Sequence, residues 1–377
     1  MNRKKLPMLI IGSSDDMPDL LYVTKFKTSD PVILLITAKN EKYLVVPDFE
    51  IARASRIIPS AHVMSPSMLQ PQTKKRKGLD YCAVTLLKKL NISRVYVPWN
   101  FPAGAGETLQ KSDIHIYPVR KQLFPERAVK SDEEIRYITE TQQAAVVAMR
   151  KAIELLKRAR PDREDYLRIN GKLLSSEQVK ELIRKTLFDL NCFASDVIVS
   201  CGTDSAQPHE TGHGPLRWKQ PIVIDIFPQH IEYRYWGDLT RTVICGTVSS
   251  ELRRMYSAVR KAQHEALKKI KPGVRCSVVH ETARRTFEKL GYKTRMDNGN
   301  RTGFIHSTGH GVGLCIHETP SLSPNSQEVL QEGNVVTVEP GLYYPHLGGI
   351  RIEDTILVTK NGWRYLAPCE KIFQLIQ

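Results

Sequence analysis

Asn334–Thr359 reads NVVTVEPGLYYPHLGGIRIEDTILVT. Its β-branched runs are separated by Pro-Gly and Gly-Gly pairs, which predicts strands joined by turns. Each strand carries an acid where burial is expected, Glu339 in VVTVEP and Glu353 in IRIEDT. A carboxylate leaves water only at a cost unless something pairs with it. Two further strand-like runs repeat the anomaly, with Asp225 in IVIDIF and Asp238 in GDLTRTVIC. Each pair of acids spans one apparent hairpin, and two neighbouring hairpins would aim four carboxylates at one point. Clustered anions need cations. Oxygen-rich ligation with a single imidazole suits hard or borderline divalent ions, and two such ions sharing carboxylates make a hydrolytic centre.

The imidazole has two near-identical sources. HETGHG starts at His209 and HSTGHG at His306, and they differ at one position. The first also fits H-E-x-x-H, a zinc signature that requires two histidines on one helical face. Pro208 precedes it, Gly212 interrupts it and Gly214-Pro215 follows, without apolar periodicity, so a helix is not expected and the zinc reading is rejected.

A chain of 377 residues predicts two domains. Residues 1–124 alternate strand-like runs (PMLIIG, PVILLIT, KYLVVP, SRVYVP, IHIYPV) with helical stretches, which predicts a small α/β domain. LFPERAVK then serves as a connector. Ser131 and Glu134 form the signature of a capping box, opening a helix with apolar residues at Ile135, Ile138, Val146, Met149, Ile153 and Leu156. SSEQ opens a second helix along Val179, Leu182, Ile183 and Leu187, and two more run through SSELRRMYSAVRKAQHEALKKI and SVVHETARRTFEKL. The expectation for 125–377 is helices packed on one curved antiparallel sheet, giving an α+β chain.

The basic start continues into a short MLIIG run and then SSDD, which reads as a first strand rather than a signal peptide, and no apolar run reaches the ~20 residues of a membrane span. The seven cysteines are odd in number and contain no CxxC pair, which argues against a disulfide framework and fits a reducing cytoplasm. Of the net charge of +15, residues 1–124 carry +9, from 19 Lys and Arg against 10 Asp and Glu. The densest run, KKRK at Lys74–Lys77, lacks interleaved aromatics and reads as a solvated loop rather than a nucleic-acid patch.

In order, the motifs are PH, D, DLTRT, HSTGHGVGL, HETP, VEPGLY and GGIRIEDT. This series resembles the pita-bread metallopeptidases, the family of methionine aminopeptidase, aminopeptidase P and proline dipeptidase, over residues 125–377. The first domain resembles the creatinase-type N-terminal domain of the prolidase and aminopeptidase P branch. The resemblance implies metal ligands at Asp225, Asp238, His310, Glu339 and Glu353, holding two divalent ions, manganese first, with cobalt, iron or zinc also suited to the donors. It implies that Glu339 also takes a proton from the attacking water. His317 would bond the scissile carbonyl or shuttle a proton, and His209 would sit near the substrate. His306 would be a pocket histidine, and Arg351 would either orient Glu353 or bind a substrate carboxylate. It implies hydrolysis of Xaa-Pro bonds in dipeptides or short peptides, with proline dipeptidase favoured over aminopeptidase P, and a cytoplasmic homodimer with no membrane or nucleic-acid partner. A metal-free binding module of the same fold is the reading from another class, and such modules lose ligands that this chain retains.

Two residues of extra length separate Asp225 from Asp238, and an even insertion keeps both on their strand faces. His213 is read as a loop residue, and His62, His115, His230, His264, His280 and His346 as surface or structural.

Overall fold

The protein is described by a computed structural model covering residues 6–70, 78–120, 122–297 and 299–376. The KKRK run lies outside the described residues. The chain divides into two compact units, Met1–Pro125 and Glu126–Gln377.

The first unit is built on a mixed six-stranded sheet. In spatial order its strands are Ala61–Met64, Lys42–Val45, Val32–Ile36, Met8–Gly12, Arg94–Pro98 and His115–Val119. The VILLI strand is buried at every position, as expected of a strand covered on both faces. Alternation divides the neighbouring strand accordingly. Leu9 and Ile11 pack with Leu86, Leu87 and Leu109 on one side. Ile10 packs with Leu20, Phe26 and Ile58 on the other.

The second unit holds the acids. Helix Asp132–Arg158 begins at a complete capping box. Ser131 Oγ accepts from the Glu134 N–H at 3.3 Å, and Glu134 Oε2 accepts from the Ser131 N–H at 2.9 Å. Helix Ser176–Asp189 repeats the device with Ser175 and Gln178. Helix Asp132–Arg158 buries its apolar stripe against strands Pro221–Ile226 and Leu239–Cys245, and helix Ser176–Asp189 packs against it and against strand Ile198–Cys201. A second helix pair, Ser250–Leu267 and Cys276–Lys289, covers strands Val335–Val338 and Asp354–Thr359.

The curved sheet comes in pieces. One is four-stranded, with Ile198–Cys201, Pro221–Ile226, Leu239–Cys245 and Gln374–Leu375, the last pair parallel. The other is five-stranded, with Glu318–Leu322, Gly309–Gly311, Val335–Val338, Asp354–Thr359 and Gly362–Tyr365. Gly341–Tyr344 and Gly348–Arg351 form a separate hairpin. The pieces are joined where the acids lie. The Glu353 N–H donates to the Thr240 carbonyl at 3.1 Å, and the Arg351 N–H donates to Thr242 Oγ1 at 3.0 Å.

Candidate metal centre

Strand register delivers the carboxylates. Asp225 lies opposite Thr240 in the antiparallel pair, and Asp238 stands one residue before the second strand. Gln229–His230 and a turn at 231–233 lie between them. Val338 pairs with Asp354, so Glu339 and Glu353 leave the ends of two adjacent strands together. Asp238, His310 and Glu353 offer ligand atoms all within 4.8 Å of one another. His310 Nε2 lies 3.3 Å from Glu339 Oε1 and 3.6 Å from Asp238 Oδ2. Asp225 faces the group across Asp238 and gives its Oδ2 to Arg351 at 2.7 Å.

Two threonines pin the acids. Thr240 Oγ1 donates to Glu353 Oε2 at 2.7 Å while accepting from Arg351 Nε at 3.2 Å. Thr337 Oγ1 donates to Glu339 Oε1 at 3.3 Å while accepting from the His310 N–H at 3.0 Å. Each threonine sits on a strand two residues from an acid just beyond that strand's end, Thr240 from Asp238 and Thr337 from Glu339. Gln142 fixes Asp238 through its backbone, accepting from its N–H at 2.7 Å and donating to its carbonyl at 2.8 Å.

The electrostatics are those of an anionic cage. Burial raises Asp238 and Glu353 well above the usual carboxylate range, and the neighbouring acids push the same way. Burial also pushes Glu339 up, but the His310 bond and charge outweigh it and hold the carboxyl at about 2. The converse acts on His310. Burial lowers it, and Glu339 with Asp238 more than reverses this, to about 9. Burial depresses both His306 and His317, with neighbouring His310 adding to the effect on His317.

These residues fit divalent cations. Among the described residues, buried Asp225 Oδ1 has no hydrogen-bond partner. His310 Nδ1 donates to the Gly311 carbonyl at 3.2 Å, which turns the Nε2 lone pair toward the acids. Four carboxylates beside one guanidinium and one imidazole, counted among the described residues, leave the cage short of positive charge, which divalent cations would supply.

The remaining predicted residues surround the cage. The His317 ring meets the His310 ring edge-on, with centroids 4.3 Å apart. His306 Nδ1 donates to the Ser307 carbonyl at 2.7 Å, and its Nε2 accepts from Tyr343 Oη at 2.9 Å. Tyr343 Oη in turn accepts from Arg351 Nη1 at 2.8 Å. Arg351 is 4% exposed and also donates to the Pro208 carbonyl at 3.3 Å. His209 lies exposed on the rim, near enough for its charge to weigh on His306 and His317.

HETGHG is an irregular segment, and its His213 is exposed. Tyr343, Thr240 and Thr337 were not singled out in the sequence, where position two from an acid was the available signal for the two threonines. A Cβ on Gly309 would lie 2.0 Å from the Thr337 carbonyl oxygen, and one on Gly311 would lie 2.4 Å from that of Thr319. Strand contact, rather than room for metal or substrate, is what requires these glycines.

Acids converging from two joined sheet pieces, with an inward imidazole, define the class. The profile of metallopeptidase family M24 matches residues 136–360, and the chain belongs to that family. It is 29% identical to the Xaa-Pro dipeptidase of Pyrococcus horikoshii over 378 residues, covering 98% of this chain and 95% of the relative. Among solved structures, it is similar to the Xaa-Pro dipeptidase from Bacillus anthracis, with TM-score 0.82, 25% identity and coverage of 98% and 95%. It is also similar to the prolidase from Pyrococcus furiosus, with TM-score 0.75, 26% identity and 97% of each chain covered. The fold is therefore the pita-bread architecture preceded by an N-terminal domain, and the protein is a metallopeptidase.

Proposed function

We propose that this chain hydrolyses the Xaa-Pro bond of dipeptides. The carrying observation is the convergence of Asp238, His310, Glu353 and Glu339 beside Asp225, whose buried Oδ1 has no partner among the described residues. These five residues would hold two divalent ions, manganese first. Such ions, when bound, supply Lewis acidity that polarises a carbonyl and acidifies water.

The chain's own residues do the rest. Glu339, kept anionic by its surroundings, accepts a proton from the attacking water. His317, kept neutral by burial and by His310, donates a hydrogen bond to the developing oxyanion. His306 and His209 line the approach, and one of them relays the proton taken up by Glu339 to the leaving prolyl nitrogen, which has no N–H of its own. Arg351, expected to orient Glu353 or bind a substrate carboxylate, instead bonds Asp225, Tyr343, Thr240 and the Pro208 carbonyl, which supports a third role, holding Asp225 in place. All seven cysteines are free thiols, and no described helix is long and apolar enough to cross a membrane, which supports a cytoplasmic place. A homodimer completes the proposal.

The test strips the protein of metal, restores Mn²⁺ and follows release of the first residue from Xaa-Pro and Xaa-Pro-Yaa in parallel, with Glu339→Ala as control. Dipeptide cleavage lost in the variant is the expected result. Cleavage of the tripeptide alone reassigns the chain to aminopeptidase P. Inertness toward both, with metal bound, removes the peptidase reading.

A further inference from the structure

His317 immediately precedes strand Glu318–Leu322, whose Glu318 pairs in register with Gly311, the neighbour of His310. Successive side chains along a strand take opposite faces. The His317 ring turns to the His310 ring, and Glu318 turns inward, its side chain 2% exposed. A carboxylate buried so deeply needs partners, and Glu318 has two cations. Arg127 Nη2 lies 2.6 Å from its Oε2, and Lys130 Nζ lies 2.7 Å from its Oε1. Both of those side chains are buried as well, and none of the three belongs to the acid cage.

Both ends of this clamp are fastened. Lys130 Nζ also donates to the Arg127 carbonyl, and the Lys130 N–H donates to the Gly333 carbonyl at 2.9 Å. Asn334 Nδ2 donates to the Ala128 carbonyl at 2.8 Å, which ties the connector to the residue before the strand leading to Glu339. At the other end, Glu318 Oε2 accepts from the Cys315 N–H at 3.3 Å, and the Gly313 N–H donates to the Cys315 carbonyl at 3.1 Å. The carboxylate fills the bend at 313–317 so closely that a Cβ on Gly313 would collide with it. The bend that delivers His317 is folded around a carboxylate, and the connector before helix Asp132–Arg158 holds that carboxylate.

A buried ion pair is a weak source of stability, because apolar residues of similar volume often serve as well or better. What it fixes is geometry, and geometry is what His317 requires. A misplacement of about 1 Å at a reacting group can cost about 10²-fold in rate. We infer that Arg127 and Lys130 are positioning residues for His317, acting through Glu318 to fix the bend that sets this imidazole against His310. They touch neither the substrate nor the metal ligands, and their effect on the chemistry passes through the one carboxylate they share. This inference rests on the role given to His317 above and adds to it what holds that imidazole in place.

The experiment uses the full chain reconstituted with Mn²⁺ and cleaving Ala-Pro. Lys130→Met, Glu318→Asp and His317→Ala are made singly, and the first two are repeated in the His317→Ala background. Lys130→Met unbalances a buried pair, whereas Glu318→Asp keeps every charge and only withdraws the carboxylate by one methylene, so folding is kept in the second variant where the first upsets it. Melting temperatures check this. Each change alone is expected to lower kcat about tenfold to a hundredfold, with KM and bound manganese within about twofold. In the His317→Ala background the same changes should cost less than about twofold, because the group they position is gone. A loss of equal size in both backgrounds, or one that falls on KM or on metal content, overturns the positioning role and leaves the clamp purely structural. Unchanged kcat in both Lys130→Met and Glu318→Asp overturns it as well. A His317→Ala variant as fast as wild type, or a wild type inert with metal bound, is instead a failure of the mechanism proposed above and takes this inference with it.

Discussion

HETGHG and HSTGHG share five of six letters, and the fold uses them differently. In both, the first glycine is pressed against a backbone carbonyl. A Cβ on Gly212 would lie 2.0 Å from the Val199 oxygen, and one on Gly309 would lie 2.0 Å from the Thr337 oxygen. The histidine that follows meets opposite surroundings. His213 is exposed, whereas His310 sits on a strand between Glu339 and Asp238. The hexapeptide thus specifies a close backbone approach, and the neighbouring strands decide whether its histidine meets solvent or acids. Where the acids converge, the same hexapeptide presents its histidine to carboxylates in an arrangement that suits a divalent ion.

The largest effect should come from breaking the second copy. His310→Ala and Glu339→Ala should each lower kcat/KM by about 10²–10⁴-fold, the range lost with a catalytic acid–base group. His310→Ala should also lower bound manganese, read by elemental analysis after dialysis. His213→Ala should leave kcat/KM and metal content within about twofold. Should His310→Ala keep its metal and activity, the distinction between the copies collapses.

Next comes the support of the cage. Arg351→Met strands Asp225 as a buried charge and frees Tyr343. Removing one partner of a buried pair costs about 3–5 kcal/mol. Urea unfolding of the metal-free variant should show a loss of that size, and saturating Mn²⁺ should restore part of it by binding the folded state. A loss below about 1 kcal/mol would mean that Arg351 is not what holds Asp225.

A pH effect follows from the residue behind the second copy. Thr308 Oγ1 shares a 3.1 Å hydrogen bond with His280 Nδ1, and Glu281, Arg284 and His306 are the charged or titratable neighbours of that ring. Burial pushes the imidazole down to about 4, while in the unfolded chain it titrates near 6.5. Between these values the unfolded state binds the extra proton, so stability is present above about pH 6.5 and is lost as pH falls toward 4. The full loss is at most about 3 kcal/mol. His280→Asn should flatten this part of the stability–pH curve in metal-free protein. An unchanged slope would assign it to other groups.

The acids were legible because a carboxylate inside a β-branched run contradicts its setting. The helices were legible because Ser131 with Glu134, and Ser175 with Gln178, announce their starts. Thr240, Thr337 and Tyr343 were not, since threonine and tyrosine are ordinary strand residues and their bonds depend on another strand's register. Arg241 was hidden for a related reason. Leu239–Cys245 is buried at every position, so alternation gives it no face. Its guanidinium, 1% exposed, bonds the Thr240 and Glu353 carbonyls and Asp354. The division of the sheet was equally silent, because Leu239–Cys245 takes Gln374–Leu375 as a neighbour from the far end of the chain.

The smallest effects test what the two copies have in common. Gly309→Ala and Gly212→Ala should each cost about 1–3 kcal/mol, the usual penalty for forcing a group into packed backbone. Gly212 should cost more, because its φ of +78° adds a left-handed strain of about 1–2 kcal/mol that Gly309 lacks. Chemical denaturation separates the two. Their activities should diverge further, since a shift at Gly309 moves the strand that presents His310, whereas a shift at Gly212 moves a segment whose histidine is exposed. Equal losses of metal in both variants would show that the first hexapeptide also shapes the cage, through Val199 and the Ile198–Cys201 strand that pairs with Asp225.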